Sequence, residues 1–182
     1  MTLRNTSERY GTLSIALHWG MLVLFVGVYA FVELREIFPK GSDPREAMKY
    51  WHSVLGLLVL ALVAVRLLVR LTSPVPRIVP APADLQHRAA QAMHLALYAL
   101  MIGMPVLGWL MQNADGKAVS LPGLGLPALI GADRDLAHTL EEVHETVGTI
   151  GYFLIGLHTA AALYHHHFVR DNTLLRMLPR RR

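Results

Sequence analysis

Four blocks of apolar residues, each long enough to cross a bilayer, constrain this chain more than any other feature. They are LSIALHWGMLVLFVGVYAFV at 13–32, WHSVLGLLVLALVAVRLLVRL at 51–71, AMHLALYALMIGMPVLGWLM at 92–111 and HETVGTIGYFLIGLHTAAALYHHH at 144–167. About 20 helical residues cover the roughly 30 Å of hydrocarbon, where each backbone N–H and C=O must find its partner within the protein. The blocks therefore read as four transmembrane helices in one domain spanning 1–182, an all-α four-helix bundle. With 16% charged residues and 53% hydrophobic ones, the chain has too little charge for a soluble domain of this size. The first block contains His18, precedes an acidic stretch and lacks a small-residue cleavage site, so it reads as a helix and not as a signal peptide.

Between the second and third blocks, TSPVPRIVPAPADL carries Pro74, Pro76, Pro80 and Pro82 and reads as an extended linker. The longest connection, Gln112 to Glu142, centres on PGLGLP and is too polar to span. It is expected to cap one membrane face, with a short interfacial helix.

Charge orients the bundle. The N-terminus, the 66–88 connection and the C-terminus share one side, with eleven basic residues against Glu8, Asp84 and Asp171, a net +8. The other side has Arg35, Lys40, Arg45, Lys49, Lys117 and Arg134 against ten acids, a net −4. The positive-inside rule then predicts an antiparallel, up-down-up-down bundle with both termini cytoplasmic. The pI of about 9.7 does not signal nucleic acid, because the basic residues lie at the ends of apolar segments and form no basic helix or aromatic-basic pattern.

The chain has no cysteine, which excludes disulfides, thiolate metal sites and c-type haem attachment. Any metal must be held by nitrogen or oxygen, and ten histidines supply nitrogen. Ionisable residues within spans are costly and therefore candidates for function. His144 and His158 are fourteen residues apart on the fourth helix. At about 100° per residue they fall roughly 40° short of four full turns, about 21 Å apart along the axis. Both face the same neighbours, one near each membrane surface.

That spacing suits two planar cofactors stacked across a bilayer. Neutral imidazole is an axial ligand of haem iron, and two such ligands leave no open position, which suits electron transfer. Two haems need four ligands. His18, near the inner start of the first helix, matches His158 in depth, and His52, at the outer start of the second, matches His144. His94 competes for the inner site at the depth of His18 and is left out, because His18 would then have no reason to be buried. His87 and His138 read as surface residues. Gly148, Gly151 and Gly56 lie near the proposed ligands and serve either porphyrin clearance or plain helix packing. Arg66, fourteen residues after His52, falls at the inner depth and is a candidate partner for haem propionates, the alternative being that it snorkels outward with Arg70. Zinc fits less well, since its ligands must converge within a few ångströms.

The four blocks, and above all the ending HHHFVRDNTLLRMLPRR, resemble the four-helix bacterial cytochrome b561 family, in particular its superoxide-oxidising members; the similarity covers nearly the whole chain. The resemblance implies two b haems in an antiparallel bundle of the bacterial inner membrane, with the ligand pattern on His18, His52, His144 and His158. It also implies that superoxide is oxidised to dioxygen on the periplasmic side and that the electrons pass through the haems to ubiquinone, a superoxide:ubiquinone oxidoreductase.

A small anion would need a cationic approach near the His52/His144 site, for which Lys40, Arg45 and Lys49 are the candidates, ahead of Arg35 and Arg134. The net negative outer face opposes it. His165, seven residues after His158 on roughly the same face, is a candidate to bind or protonate quinone, whereas His166 and His167 turn towards the interface. One chain carries all four ligands, so a monomer suffices. A second reading is a quinol-linked cytochrome b exchanging electrons with a periplasmic redox protein or a membrane dehydrogenase. A third, a non-redox scaffold or transporter, requires a colourless protein.

Overall fold

The computed structural model describes residues 3–179, so Arg180, Arg181 and Arg182 of the inner charge tally lie outside the described residues. Four long helices account for most of the chain: α1 (Thr12–Leu34), α2 (Asp43–Leu71), α3 (Asp84–Ala114) and α4 (Arg134–Tyr164). All four are long and apolar enough to cross a membrane.

Each of the last three helices begins eight to ten residues before its apolar block, because the start signals are polar. Pro44 lies in the first turn of α2, with Asp43 and Glu46 beside it, where a missing N–H costs nothing and negative charge meets the positive end of the helix dipole. The Gln86 side chain accepts from Ala83 N–H at the start of α3. Asp133 caps α4 by accepting from Leu136 N–H at 3.0 Å. At about 1.5 Å per residue, the 31-residue α3 and α4 exceed the hydrocarbon thickness, so their polar ends project beyond it.

These extensions correct one sequence expectation. The connection between α3 and α4 is confined to 115–133, and it holds a two-stranded hairpin, β1 (Ser120–Leu121) with β2 (Leu124–Gly125), where a short interfacial helix was expected. Pro122 and Gly123 turn the hairpin, and Gly123 has φ +78°, a left-handed conformation that glycine adopts without penalty. The proline-rich linker between α2 and α3 is extended, as its composition predicts.

Packing is sparse, as it is for a bundle dissolved in lipid. Buried Met21, Val59, Val63 and Met101 form a small core joining α1, α2 and α3, while Phe153, Val23 and Val26 are largely exposed. In water such exposure would be a liability, but in hydrocarbon it costs nothing. Helix α1 packs along α2, α3 along α4, and α2 touches α3. The backbones of α1 and α4 stand apart, bridged by side chains.

Candidate functional site

The widely spaced helices place histidines opposite one another at two levels. His52 on α2 and His144 on α4 have ring centroids 6.2 Å apart with planes inclined at 72°. His18 on α1 and His158 on α4 repeat the same separation and the same angle. Helix α4 runs without interruption from Arg134 to Tyr164, so the two levels are about 21 Å apart by helical rise. The depth matching read from the sequence thus brings together the same two pairs.

The separation has a chemical meaning. A metal–imidazole nitrogen bond of about 2 Å, plus about 1 Å from nitrogen to ring centre, places two trans imidazoles about 6 Å apart across one metal ion. Either pair stands at the separation that two imidazoles would need to share one metal ion.

The second nitrogens of the rings test that fit. His52 Nδ1 lies 2.9 Å from the carbonyl oxygen of Val28. A carbonyl only accepts, so Nδ1 carries the proton and the Nε2 lone pair is free to bind metal. His144 Nδ1 is buried without a hydrogen-bond partner among the described residues, and a Cβ on Gly108 would come within 3.2 Å of this ring. That glycine on α3 was not singled out in the sequence, yet it lets the His144 ring lie against the backbone.

The level of His18 and His158 is different. Arg66 Nη1 donates to His18 Nδ1 at 3.0 Å. Arg66 is at the expected depth, but on the imidazole; for His18 to bind metal through Nε2, the guanidinium must turn to another acceptor. His94 is also here, its ring centroid 5.9 Å from that of His158, so three histidines meet at this end.

The glycines divide. A Cβ on Gly151 would collide with the Tyr29 hydroxyl and touch Leu100 at 3.2 Å, so this glycine serves helix contact. Tyr29 also donates from its hydroxyl to the Gly148 carbonyl at 2.9 Å, tying α1 to α4. Gly56 faces open space.

Arg35, Lys40, Arg45 and Lys49 lie in and beside the turn joining α1 to α2, Lys117 follows α3 and Arg134 opens α4. The Arg45 side chain is 9% exposed. It donates to the carbonyls of Arg35 at 3.1 Å and Phe38 at 3.0 Å and pairs with Glu36 at 2.8 Å. Lys49 pairs with Glu46 at 2.7 Å. Lys117 pairs with Asp115 at 2.6 Å, which raises the lysine above its usual range. Lys40 is exposed and has no ion pair among the described residues.

His165 opens a π-helical turn, His165–Val169, at the C-terminal end of α4. Its Nδ1 lies 2.5 Å from Asp171 Oδ2, with the Asp171 side chain wholly buried and that of His165 19% exposed. Burial works against the charge on Asp171, but the bonds from His165 and from the Thr173 N–H outweigh it and hold the carboxyl below the usual carboxylate range. Neither Asp171 nor buried Arg176 stood out as a site residue in the sequence. The signal available was the lone acid of a C-terminal tail otherwise rich in arginine.

The chain is similar to known proteins along nearly its whole length. A family model for prokaryotic cytochrome b561 matches residues 9–180. The chain is 38% identical over 175 residues to cytochrome b561 homolog 1 of Escherichia coli, covering 96% of this chain and 99% of that protein. It is 37% identical over 175 residues to the probable superoxide oxidase CybB of Yersinia pestis, covering 96% and 98%. With cytochrome b561 homolog 2 of Escherichia coli the identity is 33% over 182 residues, covering 98% and 95%.

Proposed function

The chain belongs to the prokaryotic cytochrome b561 family, and from that premise we propose that this multi-pass inner-membrane protein is a di-haem superoxide:ubiquinone oxidoreductase. The observation that carries the reading is the pair of cross-helix histidine couples, alike in separation and ring angle, on one uninterrupted α4. His52 and His144 would hold the outer haem, His18 and His158 the inner one. Bound there, the haems supply two one-electron centres that make no bond to substrate.

The chain's own residues orient and tune those centres. The Val28 carbonyl fixes the His52 tautomer. Arg66, once released from His18, is placed to meet a propionate with a bidentate guanidinium. His94 stays beside His158 without ligating. The antiparallel arrangement, with both termini cytoplasmic, is supported by Gly20 facing Leu62 and Gly27 facing Leu55 and by the charge asymmetry. Superoxide would approach on the outer face past exposed Lys40, since Arg45 and Lys49 are engaged by Glu36 and Glu46. Ubiquinone would meet the inner end near His165.

The test is the purified chain in a lipid disc, given chemically generated superoxide and ubiquinone. Haem bands should reduce far faster than superoxide dismutes unaided, with one ubiquinol formed for each two superoxide anions consumed. Reduction no faster than in a haem-free control contradicts the reading. The ion pairs of Arg45, Lys49 and Lys117 with outer acids favour one alternative, a quinol-linked cytochrome that docks a basic periplasmic redox protein. In that case a reduced basic cytochrome, and not superoxide, reduces the haem bands.

A further inference from the structure

After α4 the chain reverses at Arg170, whose φ of 58° is left-handed, and Asp171–Leu178 folds back across the inner end of the bundle. The segment is tied down at many points. Asn172 accepts from Val79 N–H at 2.9 Å and donates to the Arg77 carbonyl at 3.3 Å. Trp19 Nε1 donates to the Met177 carbonyl at 2.8 Å, and Arg9 to that of Leu178 at 2.8 Å. Buried Arg176 donates to the Pro76 carbonyl and lies 5.5 Å from the ring centre of Tyr10. The N-terminus, the α2–α3 linker and the tail therefore form one cap.

The cap presents the Asp171 carboxylate to the end of α4. Asp171 Oδ1 accepts from Thr173 N–H at 2.8 Å, and Oδ2 faces His165 Nδ1 at 2.5 Å. A carboxylate is acceptor only, so the proton of this bond belongs to His165 Nδ1. Nε2, on the far side of the ring, is left to exchange protons with something else. Tyr164 meets the ring edge-on at 6.0 Å. Arg176 lies within electrostatic reach of Asp171 in the cap.

We propose that Asp171 is the positioning residue of a His165–Asp171 pair that delivers protons to quinone at the inner end of the bundle. The proposal rests on the quinone reading given above. Two superoxide anions each lose one electron and become dioxygen; the quinone gains two electrons and two protons and becomes quinol. In each protonation His165 Nε2–H gives its proton to a quinone oxygen, the N–H bond breaking as the O–H bond forms, and the neutral imidazole recovers a proton from the cytoplasm. Asp171 touches no substrate. It holds Nδ1–H, and so decides which nitrogen faces the quinone.

The test separates the two halves of the reaction in haem-loaded protein. In Asp171→Asn, haem content and the rate of haem reduction by superoxide should match wild type, while kcat for ubiquinone-1 falls roughly ten-fold or more. Asp171→Glu should recover part of the loss. 15N-histidine spectra supply a readout independent of turnover: the signal lost in His165→Gln should show the Nδ1–H tautomer in wild type and a changed tautomer balance in Asp171→Asn. If Asp171→Asn fails to hold haem, His165→Gln carries the kinetic arm with the same expected split. Wild-type quinone turnover in the Asp171→Asn or His165→Gln protein, or an unchanged His165 tautomer in Asp171→Asn, overturns the proposal. Wild-type protein that is reduced by superoxide yet never reduces ubiquinone-1 overturns the quinone reading itself, and Asp171's role with it.

Discussion

Replacing Arg45 by alanine separates two roles that a basic residue on the outer face can have. The side chain is buried and donates to the carbonyls of Arg35 and Phe38 in the turn between α1 and α2. Truncation leaves both oxygens without that donor. At about 1–1.5 kcal/mol for each bond lost, the cost is about 2–3 kcal/mol; the exposed pair with Glu36 adds nothing to that sum. For a chain of this length each kcal/mol moves the midpoint by about 2–4 °C, so the thermal loss of the b-type Soret band should come about 4–12 °C lower. Any fall in superoxide oxidation by Arg45→Ala should then be nearly independent of salt, since it follows from a displaced turn. Lys40→Gln should behave in the opposite way, with an unchanged midpoint and a superoxide on-rate deficit that shrinks as salt shortens the Debye length below about 8 Å. The comparison needs only a melting curve and stopped-flow traces at several ionic strengths. An Arg45→Ala protein with an unaltered midpoint and a strongly salt-dependent rate deficit would refute the reasoning and make Arg45 a steering charge.

Three further outcomes follow from the inner half. His18→Ala should lose one haem of two, whereas His94→Ala, despite its 5.9 Å approach to His158, should retain both; pyridine haemochrome counts decide it, and loss in the His94 variant alone would exchange their roles. Gly151→Val should weaken the α1–α4 contact by displacing Tyr29 and Leu100, at about 1–3 kcal/mol of overpacking, read as a lower thermal midpoint with haem content unchanged at low temperature. The Asp171 carboxyl is held below the usual carboxylate range, so its stabilising effect is full above that range and lost as the pH falls through the lowered value. Trp19 emission in a Trp51→Phe, Trp109→Phe background should follow that acid release of the tail, and Asp171→Asn should lack the step.

The parts of this molecule that the sequence made legible are those written in long-range periodicity. Four apolar blocks announced the helices, because hydrocarbon leaves a backbone few alternatives. Fourteen-residue spacing within α4 made His144 and His158 readable as one face, and depth alone selected His18 and His52. The helix extensions at Asp43, Asp84 and Arg134 were less visible, since their start signals lie in polar stretches that a search for apolar runs passes over. The hairpin at 120–125 depends on a turn around Gly123 and carries almost no hydrophobic pattern. Arg66 was placed at the right depth, but its bond to His18 is set by side-chain rotamers that spacing does not determine. The tail was opaque for another reason: Asn172 and Arg176 take their meaning from partners nearly a hundred residues away or more, at Arg77, Val79 and Pro76, and Asp171 takes its meaning from a chain reversal that brings it back to His165.

Haem stoichiometry tests the central claim most directly. Purified wild-type protein should give a reduced-minus-oxidised spectrum with b-type bands and two haems per chain by pyridine haemochrome. His144→Ala and His158→Ala should each keep one, and the double variant none. A colourless wild-type protein, or variants that retain both haems, would contradict the pairing of His52 with His144 and of His18 with His158 on which the account stands.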